Sequence, residues 1–173
     1  SIPYLGLCYG MQLAVIESAR HLAGLKGATS REINPKSKEC VIDMMDTQKE
    51  KMKKEEYGGS MRLGSYECYL KRGSVADSLY KKNMIVERHR HRFEVSPLFI
   101  ERLEDAGLIF SGVSPDGTLM EIVELPKKVH PFFVGCQFHP EFQARPLAPH
   151  PLFTGFIKAS LEYGKKRKKN IYT

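Results

Sequence analysis

The stretch PYLGLCYGMQ, residues 3–12, decides how the rest of the chain is read. Its apolar start, Ile2 to Leu7, reads as a short buried strand, with Pro3 tolerable only near the beginning. From Met11 the period changes. Gln12, Val15, Ile16, Ala19, Leu22 and Ala23 recur at helical spacing, and Gly24 stands where a helix would end. Between the two elements sits Cys8, with Gly6 two residues before it and Gly10 two after. A strand, a tight turn and a helix with a reactive side chain at the turn have the form of a nucleophile elbow, whose small neighbours let the chain fold back on itself. The helix would aim its N-terminal amides at the sulfur, which predicts a lowered thiol pKa. The Tyr9 N–H would face a developing oxyanion. Taken alone, the pattern suits a core cysteine as well as a catalyst.

A nucleophilic cysteine needs a base, and the base an orienting group. QFHPEF, residues 137–142, supplies both. It ends FFVGCQF (132–138), a nearly continuous apolar run of the kind buried on both sheet faces. His139 follows directly. Pro140 disfavours helical backbone at His139, so an extended segment would project His139 and Glu141 to the same side. If both strands belong to one parallel sheet, Cys8, His139 and Glu141 all fall at its carboxyl edge, where such sheets gather their ligands. A zinc site built on Cys136 and His139 lacks a second pair at ligand spacing, so no metal site is expected.

Further elements fill in a mixed layer fold. CVIDMM (40–45), MRLGSYECYL (61–70) and IVERHRHRFEV (85–95) read as strands, and the charged 46–59 segment between the first two as a surface loop. In the third strand a period of two would set Arg88, Arg90 and Arg92 on one face and His89 and His91 on the other. Ser96-Pro97 starts a helix carrying Phe99, Leu103 and Ala106, closed by Gly107. Residues 108–125 form a hairpin about SPDG. A last helix runs from Leu152 to Tyr163 and closes at Gly164, leaving a basic tail at 165–173. Strands and helices alternating around buried runs argue for an α/β layer fold.

The 173 residues suffice for one domain with its own core. No apolar run approaches the ~20 residues that span a bilayer, and no signal peptide opens the chain. Four cysteines without CxxC spacing favour a reducing, cytoplasmic setting. The net charge of +7 owes much to KKRKK at 165–169. A solvated tail is the plainer reading; a nucleic-acid patch, tested by salt-dependent binding lost on deleting the tail, is the sharper one. The start so close to a central strand reads as a piece of a longer domain.

The elbow together with QFHPEF resembles the cysteine triad of class I glutamine amidotransferases. GGSMRLG (58–64), ERHRHRFEV (87–95), EDAGL (104–108), MEIVE (120–124) and HPFFVGCQFHPEF (130–142) narrow the resemblance to the glutaminase domains of the CTP synthase family. That resemblance implies a three-layer, flavodoxin-like α/β fold with a mostly parallel central sheet whose first strands are missing here. It implies a partial glutaminase domain over residues 1–164. Cys8 would attack the side-chain amide of L-glutamine, with His139 as base and then acid and Glu141 orienting it. The family's glutamine-binding positions fall on Tyr9, Gly10, Met11, Gln12, Glu32 and Arg92.

No cofactor is implied for this domain. ATP and Mg²⁺ would serve a separate synthetase domain that aminates UTP to CTP, with GTP as allosteric activator. The full-length enzyme would be a cytoplasmic homotetramer with neither membrane nor nucleic acid as partner. Tyr9 stands where the family often has leucine, and Arg31 is an unusual neighbour for Glu32. A glycine-rich loop that the family uses for a second oxyanion donor is not found in these residues, which implies weak activity or none for the chain alone, since such a donor is typically worth ~10²–10³ in rate. Another class I amidotransferase, or a cysteine hydrolase of the same fold, is the alternative; ammonia release from glutamine without peptide turnover separates them.

Overall fold

The computed structural model describes residues 1–44 and 61–171, with side chains through Arg167. The expected surface loop at 46–59 and the end of the basic tail lie outside the described residues. Strand β1 (Tyr4–Leu7) leads through Cys8 into helix α1 (Tyr9–His21), so the helix starts two residues earlier than its apolar period announces. Gly24 follows at φ +68°, a conformation that ends helices and suits glycine.

Five further strands join β1 in one sheet. These are β4 (Arg62–Leu70), β5 (Met84–His91), β7 (Ile109–Val113), β8 (Met120–Glu124) and β9 (Phe133–Cys136), in the order β1-β9-β8-β7-β4-β5. The expected hairpin is present as β7 and β8, antiparallel across the 114–119 turn. Strand β9 lies between β1 and β8, which explains its unbroken apolar run. Helix α1 packs on one face over Val15, Ala19, Phe110 and Val123. Helices α2 (Val75–Tyr80) and α4 (Pro151–Ile171) cover the other over Ile122, Val134, Cys136 and Leu152. The α/β layered class therefore holds.

Parallel pairing is rarer than expected. Among the described strands of this sheet only β1 and β9 run parallel, Leu7 opposite Cys136, and the other four pairings are antiparallel. Apolar runs such as FFVGCQF report burial on two faces but carry no strand direction. A short link such as the β7–β8 turn permits only antiparallel neighbours.

A second sheet, β2 (Thr29–Ser30), β3 (Cys40–Met44) and β6 (Phe93–Val95), flanks the first. Its presence corrects the single strand expected over 85–95. The alternation holds in β5, where Glu87, His89 and His91 are buried and Arg88 and Arg90 exposed. At Arg92 the chain leaves the main sheet, and Phe93–Val95 pairs instead with Ile42–Met44. A short helical turn (Pro97–Phe99) and α3 (Ile100–Asp105) follow as Ser96-Pro97 announces, and Gly107 at φ +98° closes them.

Helix α4 does not stop at Gly164 but continues to Ile171. One glycine costs a helix only about 1 kcal/mol, and lysines and arginines are good helix formers favoured at its C-terminal end. Residues 165–171 of the basic segment are thus helical. No helix among the described residues is long and apolar enough to cross a membrane.

Candidate active site

Cys8 occupies a backbone conformation that non-glycine residues avoid, φ +48° and ψ −100°. Its N–H extends the parallel ladder to Cys136 O at 2.7 Å, and its carbonyl accepts from Gln12 N at 3.2 Å. The turn is pinned across its base by Tyr4 Oη, which donates to Gly10 O at 2.7 Å. Here glycine at position 6 is a steric necessity: a Cβ would sit 2.7 Å from Gly10 C and 2.7 Å from Tyr4 Oη. Gly135 does similar service beneath α1, where a Cβ would approach Met11 Cα to 3.1 Å. The chain therefore folds back tightly enough to hold the strained corner.

His139 sits just beyond β9, the strand paired with β1. Its Nδ1 lies 2.6 Å from Glu141 Oε1. Beside a carboxylate that nitrogen carries the proton and donates, which leaves Nε2 as the basic atom. Phe142 stacks on the imidazole at 4.8 Å between centroids, and the His139 N–H donates to Arg88 O at 2.8 Å. The turn that follows is clamped to β5 by Gln143, whose Nε2 donates to Glu87 Oε2 at 2.8 Å and to Val86 O at 2.9 Å. Glu87 also receives Tyr80 Oη at 2.8 Å and lies 2.9 Å from His150 Nε2. The expected His139–Glu141 pairing is present, on a short 3₁₀ turn over Pro140–Phe142.

An open cleft of about 330 Å³, at the small end of ligand-site volumes, lies beside Cys8. Tyr9, Gln12, Glu32, Arg90, Arg92 and Phe93 are among its walls. The structure thus brings Cys8, Tyr9, Gln12, Glu32 and Arg92 to one place. Gly10 and Met11 are not on the wall. Met11 is wholly buried in the core, and the Gly10 carbonyl is taken by Tyr4. Arg31, the unusual neighbour of Glu32, turns away to pair with Asp43 at 3.0 Å and with the Pro35 and Ser37 carbonyls.

The expectation of a lowered Cys8 pKa is overturned. Burial pushes the thiol up, outweighing hydrogen bonds from Tyr9 N–H and the Gln137 amide, and the carboxylates of Glu141 and Glu94 push the same way. Cys8 therefore rests as a thiol at neutral pH and needs a base to become a nucleophile.

Two groups escaped the sequence reading. Gln137 is fully buried, and its Nε2 lies 3.6 Å from Cys8 Sγ. The available signal was a polar residue inside an apolar run, which a buried site must satisfy. Beneath the cleft lies a set of buried charges. Arg62 Nη1 is 2.6 Å from Glu121 Oε1 and 3.6 Å from Glu94 Oε1; His91 Nδ1 is 3.3 Å from Glu94, and His89 Nε2 is 3.7 Å from Glu121.

Among known proteins, residues 1–159 match the family model described as "Glutamine amidotransferase class-I". The chain is 49% identical over 166 residues to the CTP synthase of Staphylococcus epidermidis, covering 96% of this chain and 30% of that protein. It is 55% identical over 159 residues to that of Rubrobacter xylanophilus, covering 92% and 28%. The chain thus spans about 30% of the length of the curated relatives it matches. A solved structure of the Trypanosoma brucei CTPS glutaminase domain with bound acivicin superposes with TM-score 0.83 at 38% identity, covering 92% of this chain and 60% of that one. A family model matched along nearly the whole chain, a superposing fold and a cysteine corner beside a cleft agree, and the chain belongs to the class I glutamine amidotransferase family.

Proposed function

We propose that this chain is the glutaminase part of a CTP synthase and hydrolyses L-glutamine through Cys8, His139 and Glu141. The observation that carries the reading is the strained Cys8 corner opening on a cleft that also holds Glu32 and Arg92. Glutamine bears an ammonium and a carboxylate, and an acidic and a guanidinium side chain on one cleft match both. His139 Nε2 takes the Cys8 proton as sulfur attacks the side-chain amide carbon, and the oxygen takes the negative charge facing the Tyr9 N–H. The carbonyl re-forms, the C–N bond breaks, and His139 returns the proton so that ammonia leaves. Water then loses a proton to His139 and attacks the thioester. The C–S bond breaks, glutamate leaves, and the thiol regains its proton. Glu141 holds the imidazole in the productive tautomer throughout and stabilises the imidazolium.

The CTP synthase relatives support a wider reading. Ammonia released here would pass to a synthetase domain of the whole protein, which uses ATP and Mg²⁺ to convert UTP to CTP under activation by GTP. That protein would be a cytoplasmic homotetramer. For this chain's own chemistry the test is glutamate release from glutamine. Cys8→Ala abolishes it, and Arg92→Met and Glu32→Gln raise KM for glutamine far more than they lower kcat. Release unchanged in Cys8→Ala contradicts the reading.

A further inference from the structure

The corner around Cys8 contains a hydrogen-bond chain whose direction is set from one end. Phe93 O, at the start of β6, can only accept. Gln12 Nε2 donates to it at 3.1 Å, which fixes which way round the Gln12 amide sits. The same nitrogen lies 3.3 Å from Gln137 Oε1. Gln137 must therefore turn its oxygen toward Gln12 and its NH₂ toward Cys8 Sγ, 3.6 Å away. Reversing either amide would oppose two acceptors or two donors in a site where Gln12 and Gln137 are both buried. The Gln137 main chain is held as well, its N–H donating to Glu121 O at 2.8 Å.

We infer that Gln137 is a catalytic residue of this site, a fixed donor to the Cys8 sulfur, and that Gln12 is the positioning residue that aims it. A donor of this kind favours a negative sulfur over a neutral one. Its effect is largest when the thiolate forms before attack and again when thiolate is expelled from the thioester. It acts with the Tyr9 N–H and against burial and the carboxylates of Glu141 and Glu94, the charged groups felt at this sulfur. The inference also gives Gln12 a second duty. Although its side chain borders the cleft, the donors of its amide are committed inward.

The inference rests on Cys8 being the nucleophile, and the experiment separates the two. Alkylation of Cys8 by iodoacetamide is followed against pH, with the modified residue confirmed by mass spectrometry and no glutamine present. Gln137→Met, close in size but without a donor, is expected to move the alkylation midpoint up by about one pH unit and to slow alkylation at pH 7 about tenfold. Gln12→Met is expected to give a smaller shift in the same direction. Profiles that overlay the unsubstituted protein overturn the inference while leaving glutamine hydrolysis by Cys8 untouched. Glutamine hydrolysis surviving in Cys8→Ala overturns the functional reading instead. A second measurement uses the unsubstituted chain. The side-chain NH₂ signals of Gln137 in ¹⁵N–¹H spectra should titrate together with the Cys8 thiol and shift on its alkylation. Signals that stay fixed through that titration contradict the inference.

Discussion

Two buried polar regions lie side by side beneath the cleft and solve the same problem in opposite ways. Around Cys8 the groups are neutral amides, and Phe93 O, Gln12, Gln137 and the sulfur form one directed chain of donors and acceptors. Next to it, Arg62, His89, His91, Glu94 and Glu121 are crowded within ion-pair distances. Several of their atoms lack well-directed hydrogen bonds, including Arg62 Nη1 and both oxygens of Glu94 and of Glu121. One region is ordered by direction, the other by charge. The first should be insensitive to pH apart from the thiol itself, whereas the second should respond to it strongly. They meet at Phe93-Glu94, whose carbonyl anchors the amide chain and whose carboxylate belongs to the charged set.

The largest effect should come from breaking the charged region. Arg62→Met removes the guanidinium that lies against the buried Glu94 and Glu121 carboxyls, and removing one member of a buried charge set typically costs about 3–5 kcal/mol. A denaturant midpoint read above about pH 8, where both Glu94 and Glu121 are ionised, measures this. A loss below about 1 kcal/mol would mean that water or a proton already satisfies the cluster. Next comes Glu141→Gln, which spares the fold and should slow glutamine hydrolysis roughly 10²-fold. An effect near the ~10⁴-fold typical of a fully buried orienting carboxylate is not expected, because Glu141 is 44% exposed. Thermal melting unchanged and kcat unchanged together would remove Glu141 from the site.

The pH dependence of stability sharpens the comparison. Burial, the neighbouring Glu121 carboxylate and the opposing Arg62 leave the Glu94 carboxyl raised to about 8. Burial raises Glu121 to about 7, Arg62 again opposing. Folded chains thus keep protons that unfolded chains release above about 4.5, and this contribution falls as pH rises from there to about 8. Burial and then Arg62 lower His89 to about 2 and His91 to about 3. Unfolded chains take up protons below about 6.5 that these two refuse, so their contribution falls as pH drops below 6.5. The slopes oppose between about 4.5 and 6.5, which predicts a plateau there and a decline on either side. Glu94→Gln should flatten the decline between pH 6.5 and 8, read from melting temperatures across that range, while Gln137→Met should leave it alone. A decline that persists unaltered in Glu94→Gln would place its source elsewhere. The smallest effect belongs to Arg31→Met, which removes a partly exposed pair with Asp43 and should leave the melting temperature nearly unchanged.

What the sequence made legible follows a physical line. The Cys8 elbow, the His139–Glu141 pair, the β7–β8 hairpin and the in–out alternation of 85–91 are local, set by neighbours within a few residues. The departure at Arg92 was hidden, because the period of two runs on unbroken while the chain changes sheets, and only pairing with β3 distinguishes them. Strand direction was hidden for a similar reason. The thiol was misjudged because the sequence shows a helix start beside Cys8 but not the burial and the carboxylates that outweigh it. Gln137 was in view but unread, since its partners Gln12 and Cys8 stand 125 and 129 positions away. Glu32 and Arg92 were placed by resemblance, and the cleft does join them to Cys8.

The central claim is that Cys8 attacks glutamine. Incubation with an electrophilic glutamine analogue, followed by peptide mapping by mass spectrometry, tests it most directly. A single adduct on Cys8, blocked by excess glutamine and absent from Cys8→Ala, is the predicted result. An adduct on Cys40, Cys68 or Cys136 with Cys8 unmodified would contradict it.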